Sequence, residues 1–257
     1  SSTSRGLGDV YKRQKIYFAS DFHLGSHNDS KDREDRIIRW LSSIENDAKE
    51  IFLVGDIFDF WFEHKHTVPK GNTRFLGKLA ALIDDGIDVH IFTGNHDLWM
   101  FGYLEKEIGV KVLKKPILRE IDGSIFFIGH GDGLGPGDNK YKFVKKFFTN
   151  PFCQWLFSKI HPNLSFSLAR YWSRKSRENE KGGSPSFLGE EKEWLIQFSK
   201  EEYQKNKDIN YFIFGHRHFP IEHKLDKDCT YINLGDWINH FTYAVYNGKT
   251  TELKKFK

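Results

Sequence analysis

An α/β body, layered as a sandwich and interrupted by a helical subdomain, is the fold class that the sequence predicts. Three observations predict it. Between Lys15 and Gly129, strand-like and helix-like stretches alternate. Five apolar runs each end in a short polar island rich in Gly, Asp, Asn and His. Between the fourth and fifth islands, residues 139–176 keep an almost unbroken helical pattern.

The elements come in this order. A strand over 15–20 carries Ile16–Ala19 and ends at Asp21-Phe22-His23. A helix near 32–46 places Ile37, Ile38, Leu41 and Ile44 on one face. Strand 50–54 ends at Gly55-Asp56, and a loop with Pro69 and Gly71 leads to a helix near 72–85. Its apolar face is Phe75, Leu79, Leu82 and Ile83. Strand 88–93 runs into Gly94-Asn95-His96-Asp97, and a short helix near 98–108 is expected next. Asp122-Gly123 is a two-residue hairpin signal between strands near 117–121 and 124–129, the second ending at His130-Gly131-Asp132.

In the helical stretch, Asn150-Pro151 and His161-Pro162 mark breaks, because proline cannot donate the next helical hydrogen bond. A polar hinge over 181–185 precedes a further helix near 187–206. Short strands fill 209–257, and the first of them leads into Gly215-His216-Arg217-His218. The insert, about 139–206, thus interrupts a single domain over 15–257.

At 257 residues, with 39% hydrophobic and 16% aromatic content, one packed domain is the default. No apolar run approaches the roughly 18 residues needed to span a bilayer, and no secretory leader is seen. Cys153 and Cys229 stand far apart, outside any paired-thiol motif, so a reduced, cytoplasmic setting is expected. Ser1–Gln14 is polar and unlike the strand that begins at Lys15, and is expected to be a non-native or disordered arm. The net charge of +4 is uneven: ten basic residues against two acids between Lys140 and Lys181 give about +8, leaving about −4 elsewhere. That stretch calls for an anionic partner. Its lysines, Lys142, Lys145 and Lys146 among them, alternate with aromatics in a way that suits an anionic membrane surface.

Loops at the carboxyl ends of neighbouring strands share one crevice, so the five islands are expected to converge. Asp21 and His23 sit one apart at a strand end, where alternation sends both side chains to one side. Asp56 has two oxygens with which to join two ions. One ion is expected on Asp21, His23, Asp56 and His218, the other on Asp56, Asn95, His130 and His216. Two adjacent ions with open positions are a device for hydrolysing phosphate esters. Oxygen and nitrogen donors without thiolate suit Mn, Fe, Zn or Co. His96 is a candidate proton donor to the leaving oxygen, with Asp97 expected to orient its ring. The other histidines (His27, His64, His66, His90, His161, His223, His240) lack this context and are read as surface or core residues.

The five islands together resemble the calcineurin-like metallophosphoesterase superfamily over roughly residues 15–240. A narrower resemblance lies in His130-Gly-Asp132, Asp138-Asn-x-Tyr141, Asn150-Pro151, Gln154-x-Leu156-Phe157, Trp172-Ser-x-x-Ser176-Arg177 and Gly55-Asp-Ile-Phe-Asp59-Phe-Trp61. These resemble the UDP-2,3-diacylglucosamine diphosphatase family of lipid A synthesis.

That resemblance implies a metallophosphoesterase-type β-sandwich flanked by helices (αββα), with the insert as a helical lid. It implies two divalent metal ions, expected to be Mn2+ with Fe, Zn or Co also fitting. The implied reaction splits the diphosphate of a UDP-linked glycolipid into UMP and lipid X, 2,3-diacylglucosamine 1-phosphate. Asn95, Asp138, Tyr141, Ser176, Arg177 and His216 are the implied substrate contacts. The implied location is cytoplasmic, held peripherally at the anionic inner membrane surface, with no nucleic-acid partner and the oligomeric state open. Many members of that family carry arginine where this chain has His96, the general superfamily form. Other dimetal phosphoesterases, acting on phosphoproteins, cyclic nucleotides or nucleic acid, stand as the alternative. A scaffold without catalysis ranks last, because every ligand position holds a competent residue.

Overall fold

A computed structural model describes residues 13–26, 30–135, 139–180, 187 and 189–257, without the side chains of 139, 140, 170 and 174–180. The expected arm, as far as residue 12, and Asp138 lie outside the described residues. Arg13 and Gln14, the end of that stretch, already belong to the body: Arg13 donates to the Asp85 carbonyl and the Gln14 amide to that of Asp47.

Two sheets face each other. The first has β1 (Lys15–Ala19), β2 (Ala48–Val54), β3 (Asp88–Phe92), β4 (Lys111–Leu113), β10 (Thr242–Tyr246) and β11 (Thr251–Lys255). Its order is β11-β10-β1-β2-β3-β4, with β1 to β4 parallel. The second has β5 (Ile117–Ile121), β6 (Ser124–Ile128), β7 (Ile209–Phe214), β8 (Pro220–Asp226) and β9 (Cys229–Leu234), in the order β5-β6-β7-β9-β8. Here β6, β7 and β9 are parallel.

Alternation along each strand explains the layers. Ile16, Phe18, Phe52, Val54 and Phe92 point inward against Phe126, Ile128, Ile213 and Ile232 of the facing sheet. Phe18 stacks on both Phe52 and Phe126, at ring separations of 5.3 and 5.8 Å. The alternate residues Tyr17, Ala19, Ile51 and Leu53 point outward. They meet α1 (Ser30–Ile44) through Ile37, Trp40, Leu41 and Ile44, and α2 (Thr73–Asp84) through Phe75, Leu79 and Leu82. Spacings of three and four put those side chains on one helical face. The outer side of the second sheet, Phe212, Phe214 and Tyr231, is covered by Leu195, Ile196 and Tyr203. Those three sit on the helix Trp194–Lys205, which is α6 in chain order. The result is helix, sheet, sheet, helix.

Three helices form the insert: α3 (Asn139–Phe148), α4 (Pro151–Ser158) and α5 (Pro162–Glu180). Both breaks fall at the prolines. Asn150 caps α4, its side chain accepting from the Phe152 amide at 2.9 Å. The insert is fastened by aromatics: Trp99 packs on Phe157 at 4.8 Å and on Phe148 at 5.5 Å, and Phe60 meets Phe166 at 5.6 Å. Trp99 Nε1 also donates to the Phe148 carbonyl at 2.7 Å. Outward, Phe143, Phe152 and Leu164 are 74%, 64% and 63% exposed, so the aromatics divide between a buried seam and a bare face.

Three sequence expectations need correction. The helix near 98–108 is only a π-type turn over Leu104–Ile108, bounded by Gly102 and Gly109, both with positive φ. Glu63 Oε2 takes the Phe101 and Tyr103 amides at 2.8 and 3.0 Å, competing with helical hydrogen bonding there. The helix near 187–206 begins late, as a 3-10 turn over Glu190–Lys192 followed by α6. Two of the three named lysines face inward: Lys142 Nζ donates to the Gly135 carbonyl at 2.6 Å, and Lys145 Nζ to Asp132 Oδ2 at 2.5 Å. Lys146 is exposed. Among the described residues no helix is long and apolar enough to cross a membrane.

Candidate dimetal centre

Each island lies just past a strand end, and the facing of the two sheets gathers them. The loops after β1, β2 and β3 come from the first sheet, and those after β6 and β7 from the second. Five of the seven residues read as ligands have left-handed backbone: Asp21 (φ 56°), His23 (45°), Asp56 (52°), His216 (67°) and His218 (54°). Such strain in residues with a Cβ persists only where surrounding structure imposes it, and it clusters at functional sites. Room is made by glycine. A Cβ on Gly215 would come within 2.5 Å of Asp21 Oδ2, and one on Gly94 within 2.5 Å of the Asp56 amide.

The polar atoms form two groups that share Asp56, each with its atoms within 4.8 Å of one another: Asp21, His23, Asp56 and His218, and then Asp56, His130 and His216. Asn95 joins the second, its Oδ1 lying 3.1 Å from His130 Nε2. In the first, His23 Nε2 and His218 Nε2 face each other at 3.2 Å, and His218 Nε2 stands 3.2 Å from Asp21 Oδ1. Asp56 Oδ2 lies 3.3 Å from His130 Nε2 and 3.8 Å from His23 Nε2.

The far ring nitrogens of three of these histidines each face an oxygen. His130 Nδ1 lies 2.9 Å from the Val54 carbonyl and His218 Nδ1 3.5 Å from Asp236 Oδ2, whereas His23 Nδ1 stands 3.6 Å from Asp59 Oδ1, within reach of its charge but beyond a hydrogen bond. A partner on Nδ1 sets the tautomer and leaves the Nε2 lone pair for a cation.

Three observations test whether these residues fit divalent cations. Asp21 Oδ1 is buried and makes no hydrogen bond, although His218 Nε2 is close by. Two imidazole Nε2 atoms confront each other with carboxylates on either side. The protonation of the site points the same way. Burial disfavours charge on His130 and His23. Asp56 nonetheless pushes His130 up to about 10, and Asp21 and Asp59, with Asp56, do the same for His23. Burial also disfavours charge on Asp56, but the imidazoles of His130 and His96 draw its carboxyl well below the ordinary range. The donors are oxygen and nitrogen only, so they fit.

His96 and Asp97 sit beside this nest but not as expected. Asp97 turns toward backbone, accepting from the amides of Gly94 (2.7 Å), Ile57 (2.8 Å) and Phe58 (3.2 Å), and so braces two loops. Burial, followed by the Asp56 charge, pushes its carboxyl up to about 7. It does not orient His96, whose Nδ1 lies 3.2 Å from the Asp59 carbonyl and 3.4 Å from Ser173 Oγ of α5. The His96 ring meets His23 edge-on at 4.8 Å, and burial lowers its affinity for a proton.

Next to Asn95 and His96 opens a cavity of about 280 Å³ between body and insert. Phe60, Leu98, Trp99, Val144, Phe148, Phe157 and Trp172 give it apolar walls, and Asp59, Ser173 and Tyr141 line it too. The Tyr141 hydroxyl donates to Asp132 at 2.5 Å, so this residue also anchors α3 to the loop after β6. Of the other implied contacts, Ser176 and Arg177 lie on α5 with undescribed side chains.

The sequence reading missed the supporting residues. Arg33 of α1, buried, donates to the His23 carbonyl at 2.9 Å and to Ser26 Oγ at 2.8 Å, holding the first loop. Asp236 comes after Gly235 at the end of β9, the same Gly-Asp signature as Gly55-Asp56, and could have been found that way. Asp59 stood inside the Gly55–Trp61 motif without a role.

The profile of the calcineurin-like phosphoesterase family matches residues 14–220. A protein of Porphyromonas gingivalis named UDP-2,3-diacylglucosamine hydrolase is 40% identical over 264 residues, covering 95% of this chain and 98% of that one. One of the same name from Aliivibrio fischeri is 27% identical, covering 93% and 98%. Among solved structures, a dimetal phosphatase from Danio rerio aligns with a TM-score of 0.48 at 13% identity, covering 93% of this chain and 95% of that one. The family match spans well over half of the chain and takes in all five islands, so the chain belongs to the calcineurin-like phosphoesterase family.

Proposed function

We propose that this protein hydrolyses the diphosphate of UDP-2,3-diacylglucosamine, giving UMP and 2,3-diacylglucosamine 1-phosphate, with two divalent cations. The observation that carries this reading is the apolar cavity opening directly beside Asn95 and His96. An apolar pocket at that place suits the fatty chains of an acylated sugar. The names of the relatives point to the same substrate.

Bound divalent ions supply Lewis acidity at the phosphoryl oxygens and activation of water. The chain's residues do the remainder. Asp21, His23, Asp56 and His218 would hold one ion, and Asp56, Asn95, His130 and His216 the other. Mn2+ is the proposed metal, with Fe, Zn or Co compatible with the donors. Asn95 and His216 also reach the phosphoryl group. His96 is assigned to the leaving oxygen as proton donor, a role that requires its ring to take up a second proton against the burial that disfavours it. Within the insert read as about residues 139–206 of a domain over 15–257, helices α3 to α5 act as a lid that takes the acyl chains and keeps water out, while α6 covers the second sheet. Tyr141 contributes its ring to that wall, and Asp138, Ser176 and Arg177 are assigned to the sugar phosphate. The exposed face of Phe143, Phe147, Phe152 and Trp155, beside Lys146 and Lys159, suits peripheral binding to the anionic inner membrane from the cytoplasm. No nucleic-acid partner is assigned.

The test is direct. Mn-loaded protein should release UMP from the lipid nucleotide and act poorly on UDP-sugars without acyl chains. Equal rates on both would remove acyl recognition from the reading.

A further inference from the structure

We propose that Asp59 and Asp236 are positioning residues for one of the two ions only, and that the protein therefore holds its two ions unequally. The inference rests on the dimetal reading and adds an order of occupancy to it. The first set, Asp21, His23, Asp56 and His218, contains two carboxylates. Each of its imidazoles has another carboxylate behind it: Asp59 Oδ1 at 3.6 Å from His23 Nδ1, and Asp236 Oδ2 at 3.5 Å from His218 Nδ1. A carboxylate on that side makes the ring a stronger donor through its charge.

The second set has only the shared carboxylate of Asp56. Asn95 is a neutral amide, and His130 is backed by the neutral Val54 carbonyl at 2.9 Å. Among the described residues one further carboxylate lies near, that of Asp132, but it is committed to the Tyr141 hydroxyl and the Lys145 ammonium, each at 2.5 Å. Its charge is largely compensated. A divalent cation therefore meets more uncompensated negative charge at the first set than at the second.

Asp236 is built to stay in place. It is 1% exposed, and its Oδ1 accepts from the amides of Ile238 (3.2 Å), Asn239 (2.8 Å) and His240 (3.0 Å), with His240 Nδ1 at 3.2 Å. Its other oxygen is left to face His218. Access differs in the same sense. Each set has one half-buried histidine, His218 in the first and His216 in the second, but the second adds Asn95, half-buried and lining the cavity. The second ion is the one that exchanges, from the side where substrate enters.

The experiment titrates chelator-stripped full-length protein with Mn2+, followed by calorimetry and electron paramagnetic resonance. Two classes of site are expected, tenfold or more apart. The first equivalent should give the signal of isolated Mn2+, and spin coupling should grow only with the second. Asp236→Asn and Asp59→Asn should each weaken the tight class by about 10–100-fold and leave the weak class within a few-fold. Melting curves report whether each variant folds. If Asp236→Asn does not, Asp59→Asn and the wild-type isotherm still decide. Two equal affinities in the wild type, coupling from the first addition, or variants that weaken the second class instead would each overturn the inference while leaving the dimetal reading intact. Failure to bind any ion would overturn both.

Discussion

Glu193 grips Arg217 through two hydrogen bonds of 2.8 Å, from Nε to Oε2 and from Nη2 to Oε1, with the carboxylate fully buried. The pair ties the residue preceding α6 to the loop that carries His216 and His218. Trp194 adds to it, its ring lying 5.2 Å from the Arg217 guanidinium and 6.2 Å from the His216 ring. A bidentate pair in a dry setting fixes both partners in orientation as well as distance.

Removing Glu193 should therefore be far worse than losing a surface ion pair. We expect Glu193→Ala to destabilise the fold by about 3–5 kcal/mol, because Arg217 is left charged and largely buried. Urea denaturation measures it. A loss under about 1 kcal/mol would place the pair with exposed ones, contrary to its burial.

Asp56 faces both histidine groups with one oxygen, at 3.3 Å from His130 and 3.8 Å from His23. Asp56→Ala should abolish turnover and lower metal affinity by more than the ~10–100-fold typical of a residue behind a ligand. Metal content after dialysis, measured with activity, checks it. A variant that keeps two tightly bound ions and turns over substrate would show that Asp56 does not join them.

The membrane binding proposed above should depend on the outward lysines rather than on all of them. Lys146 and Lys159 are exposed, whereas Lys142 and Lys145 hold the insert to the loop after β6. Replacing Lys146 and Lys159 with glutamine should weaken partitioning onto anionic vesicles at low salt by about 2 kcal/mol, roughly 30-fold. Melting temperature should hardly change. Lys145→Met should do the reverse, loosening the insert because Asp132 loses its cation.

The two cysteines should differ sharply toward a thiol reagent. Cys229 is buried on β9, and burial pushes its thiol up to about 12, so almost no thiolate exists at pH 8. Cys153, on α4, is half-buried. Native protein at pH 8 should show one thiol reacting readily and the second only on unfolding. Two fast thiols without denaturant would contradict the burial of β9.

The legible part of the fold was the part written in local pattern. Ile37, Leu41 and Ile44 announce α1 by spacing, Asp122-Gly123 marks the hairpin, and Pro151 and Pro162 mark the breaks in the insert. The failure at 98–108 shows the limit. Nothing near Phe101 in sequence says that Glu63 will take its amide, because that carboxylate arrives from 38 residues away. Asp97 was misread for the same reason: its neighbour in sequence is His96, but its partners in space include Ile57 and Phe58.

By itself, then, the sequence determined which residue types end each strand, and with them the donor set of the site, because those islands are contiguous and their spacing is local. Only the tertiary structure decided which carboxylate stands behind which imidazole, which lysines turn inward, and that a cavity opens beside Asn95. Those depend on how two sheets and an insert pack. Packing is set by the shapes of surfaces distant in the chain, so no window of neighbouring residues records it.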